Sequence, residues 1–393
     1  MPLNQIPERQ GSRPLIGLLA DDTSNTVELL YEVFSYLAHW HGAELCLIRP
    51  GDRQPEDGTI AGYRLGEMEW KPGIFRLPDV VYDRLKQRGK SRYRQLYSIL
   101  KDVPASDRRR GISLSKLSLY ERVDRSAALR SLLIPHEIVS SAESAISFIH
   151  EHGSVIVKPD IGSFGQRIVR IESAEEGYVV SENLYSHRLS REQAVQLLDS
   201  LAAKGGFLIQ KYVSSQTKDG LPFHVRVHCG KDAEGRWRIV SRIPYLSVSS
   251  HKKIVNHSSA FRVFCRWTDF LEHQFDDSAR RQSVNRAIEE RCLQLAAFMD
   301  SEWPDLPLEI GIDIAIDADD RIWLFEANIN KVGAYSKEID LAKLIVPSLL
   351  ARIAPADLAA GSFDTGMPIA VARKSPGGRA RIGVYRIADP LRT

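Results

Sequence analysis

Cysteine is scarce in this chain, with four in 393 residues and no C-x-x-C pair. Cys46, Cys229, Cys265 and Cys292 are too scattered for a disulfide framework or a zinc knuckle. Cys46 and Cys229 fall in strand-like runs, so buried thiols of a reducing compartment are expected. Also missing is an excess of either charge. Against 50 acidic residues stand 53 basic ones, a net charge of +3, too balanced for a nucleic-acid or membrane-surface binder. No apolar run reaches the length of a membrane span. The polar start MPLNQIPERQGSRP lacks a secretory-signal pattern, so a cytoplasmic location is expected. The first strand is not followed by G-x-G-x-x-G, which argues against a dinucleotide enzyme. A Walker A string and the H-R-D and D-F-G strings of protein kinases are absent too, and no internal repeat stands out.

What remains is an ordinary globular composition, 43% hydrophobic and 26% charged, long enough for two or three domains. Pro14–Ala20 and Ala43–Ile48 are apolar runs. Between them Val27, Leu30, Val33, Phe34, Leu37 and Trp40 recur at helical spacing behind Asn25 and Glu28, a capping-box pair. Strand, helix, strand in so few residues predicts an α/β first domain. Another strand ends in polar residues at Pro78–Arg84. The basic, turn-rich segment Asp102–Gly111 is taken as a solvated boundary. A helix is expected from Lys116 to Leu133, and others behind the caps Ser140/Glu143, Ser190/Gln193 and Ser336, the last kinked at Pro347. Asp276–Asp300 is predicted as a helix with Val284, Ile288, Cys292, Leu295 and Met299 facing the core.

Two stretches carry chemistry. In VIVKPDIGSFG (Val155–Gly165) a β-branched strand delivers Lys158 to a loop bracketed by Gly162 and Gly165. Glycines there allow close backbone approach, successive N–H groups can cradle an anion, and the lysine supplies a point charge for phosphate. Taken alone, the string is a weak signal that an ordinary strand-to-hairpin turn explains better. The second stretch is GIDIAIDADDRIWLFEANIN (Gly311–Asn330), predicted as strands Ile310–Asp317 and Ile322–Glu326 around the four-residue turn Ala318–Arg321. That turn pairs positions summing to 639, which sets Asp313 opposite Glu326 with Asn328 beside them. Ile322, Leu324 and Glu326 are expected to share a face. Opposed carboxylates are destabilising on a sheet unless a cation lies between them. Two carboxylates and an amide oxygen are hard donors suited to Mg²⁺, although an acidic hairpin open to solvent fits the residues as well.

Between these stretches PFHVRVHC places Phe223, Val225, Val227 and Cys229 on one strand face and His224, Arg226 and His228 on the other. His228 is expected at the surface. Arg226 and Arg242 sit in apolar strand contexts, and buried arginines require anionic partners such as carboxylate or phosphate.

The order Lys116, Lys158 with its glycine loop, FLIQKYV, Arg226, Arg242 and Asp313…Glu326-Ala327-Asn328 resembles the ATP-grasp superfamily from about Lys116 to Gly333. PLIGLLADD, LPDVVYDRL, KPDIGSFGQRIVRI and LFEANINKVG extend the resemblance, over nearly the whole chain, to the YheC/YheD endospore coat-associated group. Some residues depart from that group's usual pattern: Ser115 and His224 replace acids, and Asn330-Lys331 replaces a small residue and proline. The resemblance implies an α/β and α+β multidomain chain, an ATP-grasp fold with an N-terminal α/β pre-ATP-grasp domain. Its expected divisions are 1–104, a lid subdomain 111–205, a metal-bearing subdomain 206–354 and a loop-like tail 355–393. It implies ATP and Mg²⁺ as cofactors. By position, Lys116 and Lys158 would meet the phosphates and Gly162, Ser163 and Gly165 would form the lid loop. Gln210, Lys211, Tyr212 and Val213 would form the adenine hinge. Arg226, Arg242 and Asn256 would face the transferred phosphoryl group, and Asp313, Glu326 and Asn328 would ligate metal. The activity implied is a carboxylate–amine ligase acting on a small-molecule or peptide carboxylate and an amine, in a spore-forming cell. A small-molecule kinase and a non-catalytic nucleotide-binding coat protein remain the alternatives.

Overall fold

The computed structural model describes residues 13–20, 25–55, 58–67, 69–85, 91–106, 114–162, 167–182, 185–247, 262–303, 306–329, 337–353, 369–373 and 381–385. The expected βαβ unit is β1 (Leu15–Leu19), α1 (Asn25–Trp40) and β2 (Glu44–Ile48), with β1 and β2 parallel. A hairpin, β3 (Ile60–Leu65) and β4 (Trp70–Phe75), adds to β2, and β5 (Val80–Asp83) pairs in parallel with β1. Leu30, Phe34 and Leu37 bury the inner stripe of α1 as their spacing predicts. A short α2 (Arg94–Ile99) covers the other side of the sheet through Leu96.

The predicted helix from Lys116 is shorter than expected. α3 (Lys116–Asp124) ends in the turn at Arg125, and Arg130–Leu132 is a single 3₁₀ turn. The second sheet contains β6 (His136–Ile138), β7 (Ser154–Pro159), β8 (Val169–Ser173), β9 (Tyr178–Glu182), β10 (Tyr185–Leu189) and β11 (Phe207–Lys211), in the order β10-β9-β8-β7-β11-β6. It is antiparallel, and α4 (Ala142–His152) and α5 (Arg191–Lys204) cover its inner face. The cap of α4 is Ser141, not Ser140, accepting from the Ser144 N–H. Ser190 and Gln193 form the full reciprocal capping box of α5.

The third sheet carries β12 (Phe223–Lys231), β13 (Trp237–Ser247), β14 (Arg262–Phe264), β15 (Glu309–Ile316) and β16 (Ile322–Asn328), in the order β14-β13-β12-β15-β16. α6 (Trp267–Gln274) and α7 (Ser278–Glu302) pack beneath it. Val284, Ile288, Cys292, Leu295 and Met299 of α7 are all buried against Val225, Val227, Ile312 and Ile314. Each such aliphatic side chain contributes roughly 1.5–3 kcal/mol through burial, so this stripe clamps β12 and β15 from below and leaves their upper face for chemistry. α8 (Glu338–Leu350) returns to the first sheet, where Leu341, Ile345 and Leu349 share a core with Ile16, Phe34 and Leu47. Residues 354–393 form a unit of their own, and in place of an all-loop tail it contains the antiparallel pair β17 (Ile369–Arg373) and β18 (Arg381–Tyr385).

Candidate active site

The hairpin β15–β16 sets Asp313 directly opposite Glu326, with Asn328 opposite Gly311. It reaches that pairing by a different route from the one the sequence predicts. The loop is three residues, Ala318–Asp320, closed by the Asp317 N–H donating to the Arg321 carbonyl at 3.1 Å. Asp320 takes φ +61°, as the last residue of such loops commonly does. The Asp317 carboxylate also accepts from the N–H groups of Asp319 and Arg321 and from Trp323 Nε1. Near the turn the pairs are therefore Ile316–Ile322 and Ile314–Leu324. Phe325 is then an extra residue, a β-bulge that shifts the register back by one before Asp313. The predicted common face of Ile322, Leu324 and Glu326 is corrected accordingly. Ile322 and Leu324 lie in the lower core with Ile312 and Ile314, whereas Phe325 packs with Ala315 and Trp323 on the other side.

The bulge also frees a carbonyl from the ladder. Phe325 O accepts from Tyr120 Oη at 2.6 Å and from Lys158 Nζ at 3.2 Å. The middle sheet is thereby tied to the hairpin that carries the acids.

Within the trio, Asn328 Nδ2 donates to Glu326 Oε1 at 2.9 Å and to Asp313 Oδ2 at 3.3 Å. Arg226, opposite Asp313 on β12, donates through Nε to Asp313 Oδ1 and through Nη2 to Oδ2 at 2.6 Å. Burial opposes the charge on Arg226, but the Asp313 carboxylate outweighs it and raises the guanidinium pKa above its ordinary value. Lys116 Nζ lies 3.8 Å from Glu326 Oε2 and donates to the carbonyls of Pro159, Asp160 and Gly162 at 3.2–3.5 Å. Two carboxylates thus face two cations. The donor set fits Mg²⁺: two hard carboxylates at one point, and an amide that presents oxygen once its plane is turned over.

Lys158 is 7% exposed. It donates to Gln210 Oε1 at 2.8 Å and Tyr120 Oη at 3.2 Å in addition to Phe325 O. All three partners are neutral, and burial pushes its ammonium down to about 8, with Glu326 pulling the other way. Burial likewise raises the Tyr120 hydroxyl. Since Lys158 occupies the oxygen of Gln210, its Nε2 is left as the donor, and that atom is buried with no hydrogen-bond partner. A buried ammonium hydrogen-bonded only to neutral groups and a buried amide N–H without an acceptor match what a nucleotide offers in phosphate and base. Lys211 and Tyr212 follow Gln210, their N–H groups donating to the carbonyls of Pro135 and Ser154. The Tyr212 ring lies 4.0 Å from the Arg170 guanidinium, and Val213 packs near Ile134. Gly162 begins the loop beyond β7. Ser163, Gly165 and Asn256 lie outside the described residues.

One predicted member is not brought to this centre. Arg242 pairs with Val227 across the strands, on the face turned toward α7, and donates to Glu289 Oε2 at 2.5 Å. Its anionic partner is a helix carboxylate on the far side of the sheet. His228 is also corrected. It is fully buried, with Nε2 2.9 Å from Glu309 Oε2. Glu309 in turn accepts from Tyr82 Oη at 2.9 Å and Arg84 Nη1 at 2.8 Å, a buried polar node joining β5 to the start of the strand that carries Asp313. Sequence reading missed this node, as it missed Tyr120 and Asp160. The Asp160 carboxylate accepts from the Leu117 N–H at 2.8 Å and Ser115 Oγ at 3.0 Å at the α3 N-terminus. The acid in K-P-D, placed to cap a helix start, was the available signal for Asp160.

The antiparallel middle sheet closing by way of Lys158 on a sheet that bears an Asp…Glu-x-Asn centre defines an ATP-grasp fold. The YheC/D like ATP-grasp family model matches residues 110–354, and the chain belongs to that family. It is similar to the endospore coat-associated protein YheD of Bacillus subtilis (strain 168), 25% identical over 70% of this chain and 61% of YheD. It is also similar to YheC of the same organism, 22% identical over 73% of this chain and 80% of YheC. Among solved structures it resembles the D-cycloserine synthetase DcsG, at 14% identity and TM-score 0.49, over 85% of this chain and 99% of that one. It also resembles the D-alanyl-alanine synthetase A of Vibrio cholerae O1 biovar eltor str. N16961, at 13% identity and TM-score 0.47, over 87% and 99%. No helix among the described residues is long and apolar enough to cross a membrane.

Proposed function

We propose that this chain is an ATP- and Mg²⁺-dependent carboxylate–amine ligase. A substrate carboxylate oxygen attacks the γ-phosphorus of ATP, the bond to ADP breaks, and an acyl phosphate forms. An amine then attacks the acyl carbon, expels phosphate and sheds its proton to water. Nothing in this scheme needs covalent attachment to the protein, so the residues act by position and charge. Lys158 and Lys116 bind the phosphates, Gln210 meets the base, and Arg226 steadies the transferring group. Asp313, Glu326 and Asn328 would hold the metal, which neutralises phosphate charge when bound.

The single observation behind this reading is the placement of Asp313, Glu326 and Asn328 at one point, with Arg226 and Lys116 against them. The test is Glu326→Gln, assayed for ADP release with a panel of amino acids and short peptides as acids and hydroxylamine as the amine. Loss of at least about 100-fold is expected, the size of removing a key electrostatic stabiliser, with unchanged melting because Lys116 keeps its three carbonyl partners. Turnover equal to the parent would refute the assignment. Phosphate left on a substrate hydroxyl, with none released free, would make the chain a kinase. Nucleotide protection against heat without ADP release would make it a binding protein. The names of YheC and YheD suggest a coat-associated setting, which fractionation of spores tests.

A further inference from the structure

We propose that Arg226 occupies the metal position in the resting protein. Its guanidinium holds Asp313 until a divalent cation arriving with the nucleotide takes that carboxylate over and releases the arginine toward the transferring phosphoryl group. The identities of cation and phosphoryl group rest on the ligase reading above; the exchange itself is read from the side chains.

Both oxygens of Asp313 are engaged, Oδ1 by Arg226 Nε and Oδ2 by Arg226 Nη2 and Asn328 Nδ2. Glu326 is engaged through Asn328 on Oε1 and faces Lys116 on Oε2. The centre is electrically closed, two negative groups against two positive ones, and a third cation gains little by joining it. Entry of a metal therefore requires one protein cation to leave. Lys116 is poorly suited to do so, because three carbonyls hold its ammonium whether or not Glu326 is near. Arg226 is the one that moves, since its hydrogen bonds among the described residues all go to Asp313. Its side chain is only 17% exposed, and a buried guanidinium without an anion is strongly unfavourable. The departure is thus tied to the arrival of phosphate. Asn328 changes in the same event, its amide turning from donor to oxygen donor-atom for the metal. Metal and nucleotide should consequently bind as a pair, and metal alone poorly.

The test measures Mn²⁺ binding without nucleotide, by the loss of the free-ion electron paramagnetic resonance signal, in the full chain. Arg226→Met should bind Mn²⁺ at least about tenfold more tightly than the parent, and the Arg226→Met/Asp313→Asn double variant should lose that gain. Mn²⁺ should raise the melting temperature of Arg226→Met and leave the parent unmoved. If the methionine variant does not fold, Arg226→Gln makes the same comparison, since it removes both the charge and the two-pronged grip while keeping a polar side chain. A gain over the parent supports the exchange. Parent binding as tight as either variant, or a gain that survives removal of Asp313, overturns it. Since none of these measurements needs turnover, their failure leaves the ligase reading to the ADP assay, and failure of that assay leaves the exchange standing.

Discussion

Lys158 offers the sharpest quantitative test, because its charge is buried among neutral partners. Its displacement from 10.5 to about 8 corresponds to roughly 3 kcal/mol against the charged form. For a base whose folded value is depressed, the unfolded chain binds more protons between pH 8 and 10.5, so stability from this residue rises with pH across that window. Nucleotide binding should respond in the opposite sense. A bound phosphate favours the ammonium, so affinity should be flat below pH 8 and fall above it by up to about tenfold per pH unit. At pH 8, where about half of the lysine is deprotonated, binding should take up about half a proton. Titration calorimetry of Mg·ADP in buffers of different ionisation heat counts that proton. Lys158→Met should bind weakly at every pH and take up none at pH 8. In denaturant unfolding, the parent-minus-variant difference should climb through the same window, which cancels the other lysines and tyrosines. Binding with no proton uptake at pH 8, and affinity unchanged to pH 9.5, would refute the electrostatic account of this lysine.

Arg242→Met should leave ADP release within about threefold of the parent, because its partner is Glu289 beneath the sheet. Its partly exposed ion pair should cost no more than about 1 kcal/mol in denaturant unfolding. Glu309→Gln strips Arg84 of its carboxylate in a node where Glu309 is wholly buried, and a loss of about 3–5 kcal/mol is expected; a change below about 1 kcal/mol would show that the node is dispensable. Asp160→Asn weakens the anchor of the glycine loop on α3, so the Michaelis constant for ATP should rise several-fold with little change in melting temperature, and equal kinetics would dismiss the anchor.

Much of the frame could be read from the residues, and the failures have physical reasons. Period-two alternation placed Val225, Val227 and Cys229 in the core, and the helical stripe of α7 is buried as its spacing requires. The opposition of Asp313 and Glu326 came out correctly through two errors that cancel. The loop is one residue shorter than expected, because the Asp317 side chain draws it closed, and the Phe325 bulge restores the offset. Neither device has a strong local pattern. Arg242 misled because a strand arginine in an apolar context needs an anion, but the sequence does not say on which face. His228 misled for a similar reason: its partner Glu309 is 81 positions away. The polar node through Tyr82, Arg84 and Glu309 is invisible to any window along the chain.

The core shared by α8 and the first sheet has a bearing on how the chain is made. Ile16 and Phe34 leave the ribosome early, yet the helix that completes their packing, through Leu341 and Ile345, emerges some three hundred residues later. The middle sheet closes its core between Val139 and Ile209. Synthesis should therefore yield a protease-resistant middle segment first, while the opening βαβ unit waits, half-dressed, for α8 to be translated.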